Sequence, residues 1–234
     1  MTTTTLNNNP NTNPHNLPID SVKKRTLEDY NWKRVFFFNF MRWATGVFLS
    51  LLYKVEIYGK EHIPTHQQFI LTSNHQSNWD PVLLGKALKQ NLAFIAKKEL
   101  FLAHPVLFFA YDYMGCVAVD REKVDISTIR SAKTVAKLDN WILSLFPEGT
   151  RNKKKSKEDS TDTTENMEGK KGAAFFAKST QSDILPVGIR YETSGFRKRA
   201  IATIGAPIPY QKGMDVDTVT EQLMSTIQTL SQQN

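Results

Sequence analysis

The sequence predicts an α/β protein: a single layered domain with a mixed, largely parallel sheet flanked by helices, preceded by an N-terminal amphipathic membrane helix. Three observations predict it. Short apolar runs alternate with stretches of helical period along most of the chain. Two polar motifs follow directly on such runs, where open α/β sheets keep their ligands. An almost wholly apolar segment, Val35 to Tyr53, comes before all of them. With 234 residues, 40% hydrophobic and 11% aromatic, the chain is long and apolar enough for one substantial core.

In chain order, residues 1–31 read as a disordered polar and basic tail. Met1 to Pro18 is threonine, asparagine and proline, without the basic start and apolar centre of a signal peptide. Residues 32–54 read as an amphipathic, membrane-associated helix. Arg42 falls near its centre, where an arginine costs roughly 2.5 to 3.5 kcal/mol in a spanning helix. Asn39, Arg42, Gly46, Ser50 and Lys54 recur at helical spacing, leaving Phe36, Phe37, Phe40, Val47, Phe48 and Leu51 toward the other sides. A helix lying in the interface fits this pattern better than a simple span. The formal net charge of +7 agrees with docking on an anionic membrane face, at about 1 kcal/mol for each nearby Lys or Arg. The alternative is that the segment packs its apolar faces on the core and leaves a basic surface outside.

Residues 55–234 form the remaining domain. Strand-like runs fall at 54–58, 69–72, 92–96, 116–119, 142–146, 184–189 and 200–204, and helical patterns at 81–89, 99–113, 124–138, 169–178 and 216–230. A charge-rich stretch without apolar period, beginning at Lys153-Lys154-Lys155, predicts a flexible loop over 152–168.

The first motif is Asn74-His75-Gln76-Ser77-Asn78-Trp79-Asp80. Residues five apart do not share a helix face, so His75 and Asp80 do not belong to one regular helix. Asp80-Pro81 starts a helix instead, Asp as N-cap and Pro as first helical residue. His75 then sits on the loop between strand 69–72 and that helix, where the carboxylate can fold back onto one ring nitrogen and leave the other facing a substrate. The bland alternative is a plain N-cap beside a surface histidine.

The second motif is Phe146-Pro147-Glu148-Gly149-Thr150-Arg151, emerging from the apolar run Trp141 to Phe146. Arg151 offers a planar fork suited to bidentate binding of a phosphate. A turn with a surface Arg-Glu pair is the competing reading.

In this order, with Gly115-Cys116-Val117-Ala118-Val119-Asp120-Arg121 between them and Ile184-Leu185-Pro186-Val187-Gly188 after, the motifs resemble the glycerophospholipid acyltransferase family, in particular its bacterial 1-acyl-sn-glycerol-3-phosphate acyltransferases. The resemblance covers about Tyr58 to Pro209. It implies that His75 is a general base, Asp80 its orienting carboxylate, and Arg121, Glu148, Gly149, Thr150 and Arg151 the acceptor-binding groups. Lys97 stands where family members often carry a lysine for the acceptor phosphate, with Lys98 beside it as an alternative. Leu185-Pro186-Val187 resembles the last block, a pocket wall. The stretch after Arg151 is longer than the compact family pattern.

The implied reaction passes an acyl group from acyl-CoA or acyl carrier protein to the free hydroxyl of 1-acyl-glycerol-3-phosphate (lysophosphatidic acid), making phosphatidic acid at the cytoplasmic face of the cell membrane. General-base assistance of this kind contributes about 10² to 10⁴ in rate. Direct transfer in a ternary complex needs no enzyme nucleophile, and no Gly-x-Ser-x-Gly elbow is present. Cys116, the only cysteine, reads as a small buried residue, and Ser77 as a loop hydrogen-bonding group. One cysteine excludes an internal disulfide framework and a cysteine-rich zinc site, and points to a reducing compartment. His62, His66 and His104 lack metal-ligand spacing, so no metal or cofactor is expected. The remaining alternatives are transfer to a lysophospholipid, a lyso-aminolipid or dihydroxyacetone phosphate, and a non-catalytic membrane lipid-binding protein. Nucleic-acid binding is disfavoured, because basic residues interleave with aromatics only in the membrane-type segment.

Overall fold

The computed structural model describes residues 25–65, 68–102, 104–120, 126–148, 171–194 and 197–233. Most of the expected tail, the loop 152–168, and Arg121, Gly149, Thr150 and Arg151 lie outside them. Helix α1 spans Trp32–Leu52 and runs directly into β1, Tyr53–Tyr58. Then follow β2 (Phe69–Ser73), α2 (Asp80–Ala87), β3 (Asn91–Lys97), α3 (Lys98–Leu102), α4 (Pro105–Tyr113), β4 (Val117–Val119) and α5 (Ile126–Val135). The remainder comprises β5 (Trp141–Leu145), α6 (Gly172–Thr180), β6 (Asp183–Ser194), β7 (Arg197–Ile204) and α7 (Val216–Gln232).

The seven strands form one sheet in the order β1-β7-β6-β2-β5-β3-β4. Every neighbouring pair is parallel except β6 and β7, which form an antiparallel hairpin. The mixed, largely parallel sheet is therefore as expected. Strands β2 and β5 lie at its centre, and all five residues of each are buried, since helices cover both faces. Gly188 of β6 admits the C-terminal end of α7: a Cβ there would come within 2.3 Å of the backbone at Leu230 and Ser231.

Three boundaries differ from the sequence reading, each for a physical reason. The helix expected over 99–113 is two, because Pro105 has no N–H to donate and starts a new helix. Strand β6 continues well past Ile189, because its antiparallel partner β7 carries the ladder beyond the carboxyl edge of the parallel strands. Residues 25–31, assigned to the tail, are packed on the domain. The Arg25 guanidinium is buried and donates to the Cys116 carbonyl at 2.9 Å and to Asp112 at 2.8 Å, and the Tyr30 hydroxyl donates to the Gly115 carbonyl at 3.0 Å.

Helix α1 lies along the domain, and its inward face mixes apolar Phe38 and Leu49 with Gly46 and Arg42 of the polar stripe. Arg42 donates to the carbonyls of Leu88, Lys89 (2.7 Å) and Gln90, closing the chain that leaves α2. Gly46 is buried between Phe38 and Leu49 on the same side. Trp32, Phe36, Phe40, Trp43, Val47 and Leu51 point outward, Trp32 with 73% of its surface exposed. The alternative of apolar faces packed on the core holds in part, since Phe38 and Leu49 enter the core, but the surface left outside is aromatic rather than basic. Among the described residues, α1 is the one helix long and apolar enough to cross a membrane.

Candidate active site

The site grows from the carboxyl end of β2. Asn74, buried immediately after the strand, continues the ladder with its side chain: its Nδ2 donates to the Ile189 carbonyl at 2.8 Å and its Oδ1 accepts from the Ile189 N–H at 2.7 Å. This double bond to β6 fixes the point at which the chain turns away from the sheet. The next residue is His75.

The His75–Asp80 spacing is used to close a compact loop. Oδ2 of Asp80 accepts from the backbone N–H of Gln76 (2.7 Å) and of Ser77 (2.8 Å) and lies 2.7 Å from Nδ1 of His75. The Asp80 N–H donates to the Ser77 carbonyl, and the Ser77 hydroxyl accepts from the Trp79 N–H. Asp80 is the first residue of α2, and Trp79 holds the cap position. The N-cap assignment is therefore corrected: the carboxylate turns back onto the loop because three donors converge there.

Asp80 is fully buried, and a carboxylate without water needs its lone pairs filled. Its second oxygen, Oδ1, accepts from the Tyr191 hydroxyl at 2.7 Å. Burial, then the Asp80 charge, push the Tyr191 phenol far above its ordinary range, so it remains a donor. With Nδ1 of His75 committed to the carboxylate, Nε2 keeps the lone pair that can take a proton.

The imidazole is also held flat. Phe146 stacks on it with ring centroids 4.1 Å apart and planes 14° from parallel, and Phe94 stacks on the far side of Phe146 at 5.5 Å. Phe146 follows directly on β5, the neighbour of β2, so the second motif begins in contact with the first. Glu148, two residues on, accepts from the His75 N–H at 3.5 Å. Lys97 ends β3 on the same carboxyl edge and is half-buried. The structure thus brings His75, Asp80 and Glu148 together and sets Lys97 two strands from β2.

Cys116 is buried, which pushes its thiol up to about 12 and makes it a poor nucleophile. Among the described residues, no group of three or more His, Cys, Asp or Glu is placed to hold a metal ion.

Residues 54–190 match the family model described as Acyltransferase. The chain belongs to that family. The 1-acyl-sn-glycerol-3-phosphate acyltransferase of Bacillus subtilis (strain 168) is 29% identical over 170 residues, covering 70% of this acyltransferase and 79% of the relative. The protein of the same name from Streptococcus pneumoniae is 30% identical over 154 residues, covering 63% of this chain and 53% of its own length. The solved structure of the 1-acyl-sn-glycerophosphate (LPA) acyltransferase PlsC from Thermotoga maritima shares the fold, with a TM-score of 0.59, 24% identity, and coverage of 86% of this chain and 82% of that one.

Within the acyltransferase, sequence reasoning assigned no role to Asn74, Phe146 or Tyr191. Asn74 and Phe146 stand in the two motifs and were open to reading as supports. Tyr191 lies beyond the matched region on β6, 111 positions from its partner Asp80, and no local pattern marks it.

Proposed function

We propose that this acyltransferase moves a fatty acyl group from an acyl thioester to the free hydroxyl of 1-acyl-glycerol-3-phosphate, forming phosphatidic acid. The observation that carries the reading is the buried Asp80 carboxylate on Nδ1 of His75, which leaves Nε2 as a base at the carboxyl edge of the sheet. The names of the relatives support the acceptor.

In this mechanism Nε2 of His75 accepts the hydroxyl proton as the oxygen attacks the thioester carbonyl. Asp80 stabilises the imidazolium that forms. Collapse of the tetrahedral intermediate breaks the carbon–sulfur bond, and the thiolate leaves and takes up a proton, directly from His75 or through water. Lys97, Arg121 and Arg151 hold the acceptor phosphate, Arg151 as a bidentate fork, while Glu148, Gly149 and Thr150 shape the turn that presents it. The donor is acyl-CoA or acyl carrier protein, and no cofactor takes part. The outward aromatic face of α1, beside the chain's net positive charge, supports work at the cytoplasmic face of the cell membrane.

The test is thiol release from palmitoyl-CoA by detergent-solubilised protein, with and without lysophosphatidic acid, for wild type and His75→Ala. Release that requires the acceptor and is lost in His75→Ala supports the reading. Release that persists in His75→Ala overturns the mechanism, and failure with either donor while another lyso-lipid is acylated overturns the acceptor.

A further inference from the structure

We propose that Tyr191 is a positioning residue of the reaction, which sets the basicity of His75 by holding the outer oxygen of Asp80. The inference rests on the general-base reading of His75 and deepens it.

The hydrogen bonds on Asp80 are divided unequally. Three donors meet on Oδ2: Nδ1 of His75 and the N–H groups of Gln76 and Ser77. Oδ1 has one, the Tyr191 hydroxyl at 2.7 Å. The three on Oδ2 come from the loop itself and form wherever the loop folds. The bond on Oδ1 comes from a distant strand, and without it the carboxylate has a buried oxygen with no partner in this network, and its full charge falls on Oδ2.

Tyr191 is held in place for that bond. Its ring packs edge-on against Tyr53 of β1, with centroids 5.4 Å apart and planes at 64°. The strand beneath is anchored two residues earlier, where Ile189 exchanges both backbone bonds with Asn74. Asn74 and Ile189 thus place β6 beside the loop, and Tyr191, two residues after Ile189 on the strand, reaches Oδ1 of Asp80, the oxygen that His75 does not contact.

The electronic consequence follows from the same geometry. A donor on Oδ1 draws negative charge away from Oδ2, so the imidazolium formed during the reaction is held less tightly than by a bare carboxylate. Among the described residues, the other titratable groups facing this cluster are Glu148, at the His75 N–H, and Tyr53, against the Tyr191 ring. Both remain when the Tyr191 hydroxyl is removed.

The experiment compares Tyr191→Phe and 3-fluorotyrosine at position 191 with wild type in full-length protein, recording kcat/KM against pH with palmitoyl-CoA and lysophosphatidic acid. Tyr191→Phe is expected to lower kcat about tenfold with KM unchanged, as for loss of a hydrogen bond to a charged group, and to move the acidic limb to higher pH. Fluorotyrosine, a stronger donor of the same shape, moves the limb to lower pH. Thermal unfolding is recorded alongside; should the Phe variant fail to fold, the fluorotyrosine arm decides. A limb that stays in place overturns the proposal, even if stability falls. His75→Ala in the same assay separates the two levels: activity lost there with the limb unmoved by the Tyr191 substitutions leaves the base standing and removes only the role of Tyr191.

Discussion

Phe146 lies flat against the imidazole of His75, centroids 4.1 Å apart, and so ties the opening residue of the second motif to the base supplied by the first. The contact joins two segments more than seventy residues apart through neighbouring parallel strands, β2 and β5. A ring held between Phe146 on one face and Asp80 at its edge has little freedom to rotate away from a substrate.

Phe146→Leu tests that restraint. The substitution keeps apolar volume but removes the stack, whose worth for an aromatic pair is about 0.5 to 1.5 kcal/mol. The expected result is a fold that survives and a kcat lowered from about twofold to tenfold. Steady-state kinetics beside a melting curve check it; a kcat equal to wild type refutes a role for the stack.

Asn74→Ala addresses scaffolding. Both backbone groups of Ile189 that bond Asn74 are buried, and the alanine leaves them without partners at the end of β2. A loss of about 2 to 4 kcal/mol in unfolding free energy is expected from two such bonds. Denaturant titration measures it, and a midpoint within error of wild type rules the clamp out.

The outward face of α1 makes a prediction about lipid. Trp43, 66% exposed, projects outward from the helix beside Arg42, whose guanidinium is turned to the carbonyls after α2. Trp43→Glu places a charge where an aromatic ring would enter a headgroup layer, and removes roughly 1.5 to 3 kcal/mol of apolar transfer. Partitioning onto vesicles containing anionic lipid should fall at least about tenfold, read by co-sedimentation, with the melting temperature held. Equal partitioning would show that this face does not meet the membrane.

Cys116 is expected to be silent in the native state. Its thiol is buried and pushed up to about 12, chiefly by burial. A thiol-reactive chromogen should label it only after denaturant is added. The sign of the pH linkage follows: the folded state holds the thiol proton more tightly than the unfolded chain, so this contribution is complete below about 8.5 and is lost as pH rises toward about 12. Stoichiometric labelling of native protein would contradict the burial.

The sequence by itself determined the alternation of strands and helices along the chain and the two motifs. Short apolar runs and period-3.6 apolar patterns are local properties, and the five-residue gap between His75 and Asp80 already forbids a shared helix face. The tertiary structure alone decided what those motifs lean on. Asp80 was legible as a helix start, yet its carboxylate turns to the loop because three N–H donors converge there, which only the folded path of residues 75–80 reveals. Arg42 was legible as an intruder in an apolar helix, yet the carbonyls it satisfies, after α2, are more than forty residues away. Tyr191 was not legible at all. Its partner is 111 positions earlier, and the contact depends on an antiparallel hairpin extending β6 past the parallel sheet. Local pattern fixes which residues form an element; long-range hydrogen bonds to buried charge exist only once the strands have paired.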